Sequence, residues 1–178
     1  LQGLDDAGRV IYVGTFSKVL FPSLRLGYMV VPEALLGPFT DLRGSIDDYP
    51  ALALQPALHT FFEEGHFAGH IRRQRKLYAD RQQVLIEALR KHADGLLTTT
   101  AHEAGMHLIA DISPACGLSD QEISARAGSA GLAVPALSAY FEGADRKQGL
   151  VLGYAGLEDR EIDLGIRKLM RVMTDQHR

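Results

Sequence analysis

GTFSKVLFPSLRLGY, residues 14–28, sets Lys18 just after the hydroxyl residues Thr15 and Ser17, places Arg25 seven positions later, and joins one apolar run to another. The flanking runs read as strands. RVIYVG (9–14) is nearly all apolar, the pattern of a strand buried on both faces of a parallel sheet, and LGYMVV (26–31) reads the same way until Pro32. Pro22 and the absence of helical periodicity from 19 to 25 make the join a loop that turns back, so that Lys18 and Arg25 can converge on one anion. Two strands are too few for a sheet. No methionine opens the chain and no element precedes the first strand, so the sequence reads as a piece whose remaining sheet lies upstream.

Downstream, EALLGPFTDLR predicts a short helix interrupted by Gly37 and Pro38. Residues 45–65 read as a second helix, with Ser45 or Asp47 as N-cap, a kink at Pro56 and a stop at Gly65. His66 to about His92 reads as one long helix, about 39 Å at 1.5 Å per residue, with Phe67, Ile71, Leu77 or Tyr78, Val84, Leu85 and Leu89 as its apolar stripe. Then come the strands LLTTT and MHLIADI, a helix capped by Ser119, the strands LAVPAL and GLVLGYAGL, and a closing helix. That last helix lines one face with Ile162, Ile166, Leu169, Met170 and Met173. The expected division is 1–65, 66–95 for the linking helix, and 96–178 for a small α+β domain.

The 178 residues are 46% hydrophobic and 23% charged, with a net charge of -3, so the chain can bury a core and carries no overall cationic footprint for nucleic acid or an anionic membrane. Cys116 is the sole cysteine, which excludes an internal disulfide framework and a multi-cysteine metal site and fits a reducing, cytoplasmic setting. No apolar run reaches the roughly 18 to 20 residues of a membrane span.

A lysine amine becomes nucleophilic toward an aldehyde when burial or a neighbouring cation lowers its pKa, and a Schiff base with pyridoxal phosphate is its commonest use on an α/β fold. The phosphate of such an aldehyde needs donors. Thr15 and Ser17 offer hydroxyls, and Arg25 offers a planar fork suited to bidentate phosphate binding. The same residues would equally serve as a solvated turn with a surface ion pair, and residue chemistry alone leaves both readings open.

The run TFSKVLFPSLRLGY resembles the cofactor-lysine segment of fold-type I pyridoxal phosphate enzymes, in the version shared by aminoadipate and kynurenine aminotransferases and by the aminotransferase-like domain of MocR-type regulators of the GntR superfamily. Phe21, Pro22 and Leu24 depart from the aspartate-type pattern. FFEEGHFAGHIRRQRKLYADRQQVLIEAL (61–89) resembles the MocR-type linking helix, and the likeness extends across the chain. The resemblance implies an α/β fold: the end of the large parallel-sheet domain of a fold-type I transferase, followed by the small C-terminal α+β domain. It implies pyridoxal 5'-phosphate on Lys18, its phosphate on Arg25 with help from Thr15 and Ser17, and a homodimer. Further implications are an amino acid, amine or vitamer effector and DNA binding through an upstream winged helix. Transamination would then belong to the full-length dimer and not to this piece. Val151, in GLVLGYAGL, stands where free-standing aminotransferases usually carry an arginine for the substrate carboxylate, and the nearest upstream arginine, Arg146, reads as a surface-loop residue. This favours a regulator over the alternative, part of a free-standing aminotransferase.

Other residues attract attention for plainer reasons. His66 and His70 share a helical face, but no third ligand lies between them, so capping or packing is expected and no metal. Arg72, Arg73, Arg75 and Lys76 have Glu63, Glu64 and Asp80 nearby and read as a solvated or dimer-facing helix side. His107 is a substrate-side candidate only through the resemblance, and Asp111 could orient a neighbour.

Overall fold

The computed structural model describes residues 2–46, 52–143 and 146–175. The chain divides into two compact units, Leu1–Ile71 and Arg72–Arg178. The first holds strands β1 (Tyr12–Thr15) and β2 (Gly27–Val30) and helices α1 (Glu33–Ile46) and α2 (Gln55–Glu63). Helix α3 (His66–His92) begins in it and continues into the second, with the bounds its periodicity predicts. The second unit adds β3 (Leu97–Thr99), β4 (His107–Ile112), α4 (Asp120–Ser129), β5 (Leu150–Gly153) and α5 (Asp159–Thr174).

Strand β1 starts later than the apolar run suggested because the Asp5 carboxylate accepts hydrogen bonds from the amides of Arg9 (2.5 Å) and Val10 (2.6 Å) and holds that segment in a turn. β1 and β2 pair antiparallel, Tyr12 opposite Val30 and Thr15 opposite Gly27, where the apolar runs predicted parallel neighbours on both sides. Their side chains remain largely exposed: Val13 at 69%, Met29 at 53%. The packing of this unit is aromatic instead. Phe16 is buried, with ring centroids 5.2 Å from Tyr28, 5.8 Å from Phe62 and 6.3 Å from Phe67, while Phe62 stacks on Phe67 at 4.4 Å.

Two helix expectations are corrected. Gly37 and Pro38 do not interrupt α1, which runs through both: Pro38 deprives only the Ala34 carbonyl of its amide partner, and Ala34 is exposed to water. Residues 45–65 are not one helix. Ser45 sits in the last turn of α1, Asp47 lies outside the described residues, and Pro56 stands in the first turn of α2, where its missing N–H costs nothing, rather than at a kink.

In the second unit β3, β4 and β5 form an antiparallel sheet in that order. Alternation along β4 and β5 buries Leu108, Ala110, Leu150 and Leu152 with Leu85 and Leu89 of α3, Ile123 and Ala127 of α4, and Ile162, Ile166, Leu169, Met170 and Met173 of α5. The five α5 positions are those its sequence pattern named. On α3, Tyr78 rather than Leu77 packs on this core, Leu77 being 38% exposed. Ser119 caps α4 in a capping box with Glu122. LAVPAL is not a strand; it makes a single bridge, Ala136 to Leu150, before turning at Leu137–Tyr140. Among the described residues, no helix is long and apolar enough to cross a membrane.

Candidate functional site

The loop between β1 and β2 is closed at its base. The Phe16 amide donates to the Leu26 carbonyl (3.0 Å), continuing the ladder by one step, and the Leu20 amide donates to the Phe16 carbonyl (2.8 Å). Phe16 and Leu24 are buried and anchor its two arms. Lys18 therefore stands exposed on the turn after β1, while Pro22–Leu24 forms one 3-10 turn that delivers Arg25 just before β2. Arg25 has φ 49° and ψ 31°, a left-handed conformation uncommon outside glycine, so the chain reverses at this residue without a glycine.

Thr15 Oγ1 accepts a hydrogen bond from the Ser17 amide at 3.2 Å, which uses an acceptor lone pair and leaves the hydroxyl hydrogen to donate outward. Thr15, Ser17, Lys18 and Arg25 thus belong to one hydrogen-bonded loop. Arg25 lines a cavity of about 670 Å³ that Phe16, Tyr28 and Phe62 share; Thr15, Ser17 and Lys18 are not among its lining residues. Tyr28 lies over Gly14, where any Cβ would meet its ring at 2.4 Å, so that ring position requires glycine on β1. The hydrogen bond to Tyr12 holds the Tyr28 phenol above its ordinary pKa. The donor set fits a phosphorylated aldehyde: an amine for the carbonyl carbon, and a guanidinium with two hydroxyls for the phosphate.

The other residues marked in the sequence have structural partners. His70 Nε2 lies 2.7 Å from the Val19 carbonyl oxygen and steadies the lysine turn, while His66 Nε2 pairs with Glu64 at 3.0 Å. Val151 pairs with Ile109 across the sheet, alternating with Leu150 and Leu152 of the helix-covered face. His107 is exposed at the end of β4 opposite Gly153, Asp111 forms an ion pair with Lys147 (2.9 Å), and Arg146 bonds to the Gly143 carbonyl in its own loop.

Sequence reasoning missed two buried polar centres. Asp120, fully buried, accepts hydrogen bonds from the Ser138 amide and hydroxyl (2.8 Å each) and from the Gly149 amide (3.2 Å). Gln82 of α3 donates to the Tyr154 hydroxyl (3.0 Å) and accepts from the His102 amide (3.1 Å), while Tyr154 donates to the Gly105 carbonyl (2.9 Å). The latter network ties the loop before β4 to α3. A glutamine interrupting an apolar helix face was the one available signal.

No family model matches the chain. The fold is that of the C-terminal portion of fold-type I aminotransferases. Pyrococcus horikoshii kynurenine aminotransferase, solved with PMP, kynurenine and its product, superposes with a TM-score of 0.82 at 28% identity over 98% of this chain and 43% of that one. Thermus thermophilus LysN, an α-aminoadipate aminotransferase solved with N-(5'-phosphopyridoxyl)-L-leucine, gives 0.80 at 28% identity over 92% and 41%. In sequence the chain matches the aminotransferase-like part of MocR-type regulators: it is 44% identical over 169 residues to the probable rhizopine catabolism regulatory protein MocR of Rhizobium meliloti, covering 95% of this chain and 34% of that protein. The chain thus spans about a third of the length of that relative.

Proposed function

We propose that this chain is the cofactor-holding part of the aminotransferase-like, effector-sensing domain of a GntR/MocR-type transcriptional regulator, with pyridoxal phosphate bound through Lys18. The observation that carries the reading is the closed loop 15–25, which presents an amine, a guanidinium and two hydroxyls from one hydrogen-bonded frame. When bound, the cofactor supplies an aldehyde that captures amines and a ring that withdraws electrons. The chain's own residues do the holding. Lys18 provides the amine that anchors the aldehyde carbon, Arg25 donates paired N–H groups to phosphate oxygens, and Thr15 and Ser17 donate their hydroxyl hydrogens. His70 limits the freedom of the turn by bonding the Val19 carbonyl.

Val151 supports sensing over turnover, because a valine offers a substrate carboxylate no donor. The effector class is then an amino acid, an amine or a cofactor vitamer. The protein works as a homodimer, with DNA contacted by an upstream winged helix. The second reading, part of a free-standing aminotransferase of the aminoadipate or kynurenine type, is favoured by the likeness to LysN and the kynurenine enzyme.

The test uses the product of the complete gene. Borohydride reduction followed by peptide mass mapping is expected to place the phosphopyridoxyl group on Lys18, and Lys18→Ala to abolish capture. Capture on another lysine would overturn the assignment. Rapid half-transamination of ordinary amino acids, without any operator DNA binding, would favour the free-standing enzyme.

A further inference from the structure

Gly165 stands in the interior of α5, where glycine is a poor helix former. Nothing in the backbone asks for it, since its φ is not left-handed. Nor does packing: a Cβ built there would meet nothing within 4 Å beyond the helix's own backbone. The space it leaves belongs to a cavity of about 320 Å³ in the second unit. That cavity opens where the segment 131–134 parts from β5: Val151 still donates to the Pro135 carbonyl (2.9 Å), but among the described residues no backbone hydrogen bond joins 131–134 to that strand. Its walls are aliphatic, from Leu85, Val134, Leu152, Ile166 and Leu169, and Glu161 is the one charged residue among its described lining. Glu161 Oε2 accepts the Glu158 amide of the capping box (2.7 Å), while Oε1 has no partner among the described residues. Lys168 Nζ stands at the Gly131 end, 3.8 Å from where a Cβ on that glycine would lie. Two helical turns, about 10 Å, separate Glu161 from Lys168 along α5, so the cavity has an acidic end and a basic end.

We infer that this cavity binds a small hydrophobic cation, whose apolar body lies over Gly165 and whose charged group donates to Glu161 Oε1. Aliphatic walls with one convergent polar group are the usual make-up of a small-molecule site, and a carboxylate with an unused oxygen gives a cation a charge-assisted hydrogen bond. Lys168 repels the cation from the Gly131 end and so fixes its orientation. The volume lies at the low end of the range for such sites, which suits one ring or a short branched chain. No residue of the 15–25 loop takes part, so the inference stands apart from the proposed function.

Benzamidine, a planar aromatic cation, and benzamide, its neutral counterpart, are the probes, titrated by calorimetry into the product of the complete gene. An amidinium is used because a free amine would also be captured by a cofactor aldehyde. Benzamidine is expected to bind saturably and benzamide about tenfold more weakly, because the charge-assisted hydrogen bond is lost. Glu161→Gln retains an oxygen for the Glu158 amide and should weaken benzamidine about tenfold, to the level of benzamide. Gly165→Leu should fill the space and abolish binding of both probes, with a thermal midpoint no lower than that of the unsubstituted protein, since the position is open and leucine is the better helix former. Equal binding of the two probes, or benzamidine binding that survives Gly165→Leu, would overturn the inference. So would a lowered midpoint in Gly165→Leu, because the space would then be filled by another segment of the protein. Capture on Lys18, read separately by borohydride reduction, is untouched by any of these outcomes.

Discussion

Arg25 holds a backbone conformation that costs an ordinary residue about 1 to 2 kcal/mol, and the strain falls on the residue whose side chain the loop delivers to the cavity. Geometry and chemistry can be separated here by substitution. Arg25→Gly removes the guanidinium but suits φ 49°, whereas Arg25→Ala removes it and keeps the strain. Both are expected to weaken cofactor affinity equally, by about 1.5 to 3 kcal/mol or roughly 10- to 150-fold, with Arg25→Lys intermediate. A fluorescence titration of the complete gene product with pyridoxal phosphate checks this, and a glycine variant that binds normally would show that loop shape, not the guanidinium, matters. At this scale the sequence was legible in one respect: Thr15, Ser17, Lys18 and Arg25 fall on one hydrogen-bonded loop, as their short spacing implied. That His59 lines the cavity beside Arg25 was not legible, because cavity membership depends on a helix more than thirty residues away folding back over β2. Asp120 carries no signal of its own in the sequence, standing directly after the cap Ser119; only the later loops that donate to it make it a buried centre.

Among the elements, the helices that stand on caps and amphipathic stripes were read closely, since local contacts specify them. Helix α3 and the buried stripe of α5 follow from periodicity alone. The misreadings come from prolines, whose effect depends on position: Pro38 costs one exposed bond inside α1, and Pro56 starts α2. LAVPAL failed as a strand because it meets the edge of β5 away from β4 at one bridge, Ala136 to Leu150, and Pro135 has no N–H with which to extend a ladder. Two carboxylates at element ends give the second unit a defined acid response. The hydrogen bond from His92 (2.8 Å), aided by Arg167, holds Asp163 below its ordinary pKa, and the Ser119 amide and hydroxyl do the same for Glu122. A depressed folded-state pKa stabilises the fold above the unfolded value, about 4, and that contribution disappears as pH falls through the folded value. Thermal midpoints are therefore expected to drop from pH 6 to pH 3, and Asp163→Asn to lower the midpoint at pH 6 while flattening the acid dependence. An unchanged pH profile in Asp163→Asn would refute the role given to this pair.

The two units differ in how completely they cover their apolar surface. The second buries a continuous core between its sheet and three helices. In the first, Tyr12, Val13, Tyr28, Met29 and Val30 of a two-stranded sheet are exposed, as are Leu35, Leu36, Leu42 and Ile46 of α1. Each strand of that pair also has one edge without a partner among the described residues. Such surfaces associate in water. The 178-residue chain expressed alone is expected to self-associate with increasing concentration in sedimentation velocity, and Val13→Lys with Met29→Lys to suppress this. A monodisperse monomer at all concentrations would contradict the reading. The apolar runs of β1 and β2 announced strands that demand neighbours, and the turning back of the loop at Pro22 was legible too; the all-apolar pattern nonetheless pointed to parallel neighbours, whereas the return through Arg25 pairs the two strands antiparallel.

Asp120 fastens Ser138 and Gly149 to the same carboxylate oxygen, so the two ends of the intervening stretch are fixed close together by groups that lie outside it. The Leu137 amide reinforces this by donating to the Gly149 carbonyl at 2.8 Å. A segment clamped in this way is decoupled in length from the sheet it leads into: each doubling of a flexible loop costs only about 0.6 kcal/mol of closure entropy. The stretch is therefore a natural attachment point, where an epitope tag or fluorophore-bearing peptide can be spliced in while β5 keeps its register against β4.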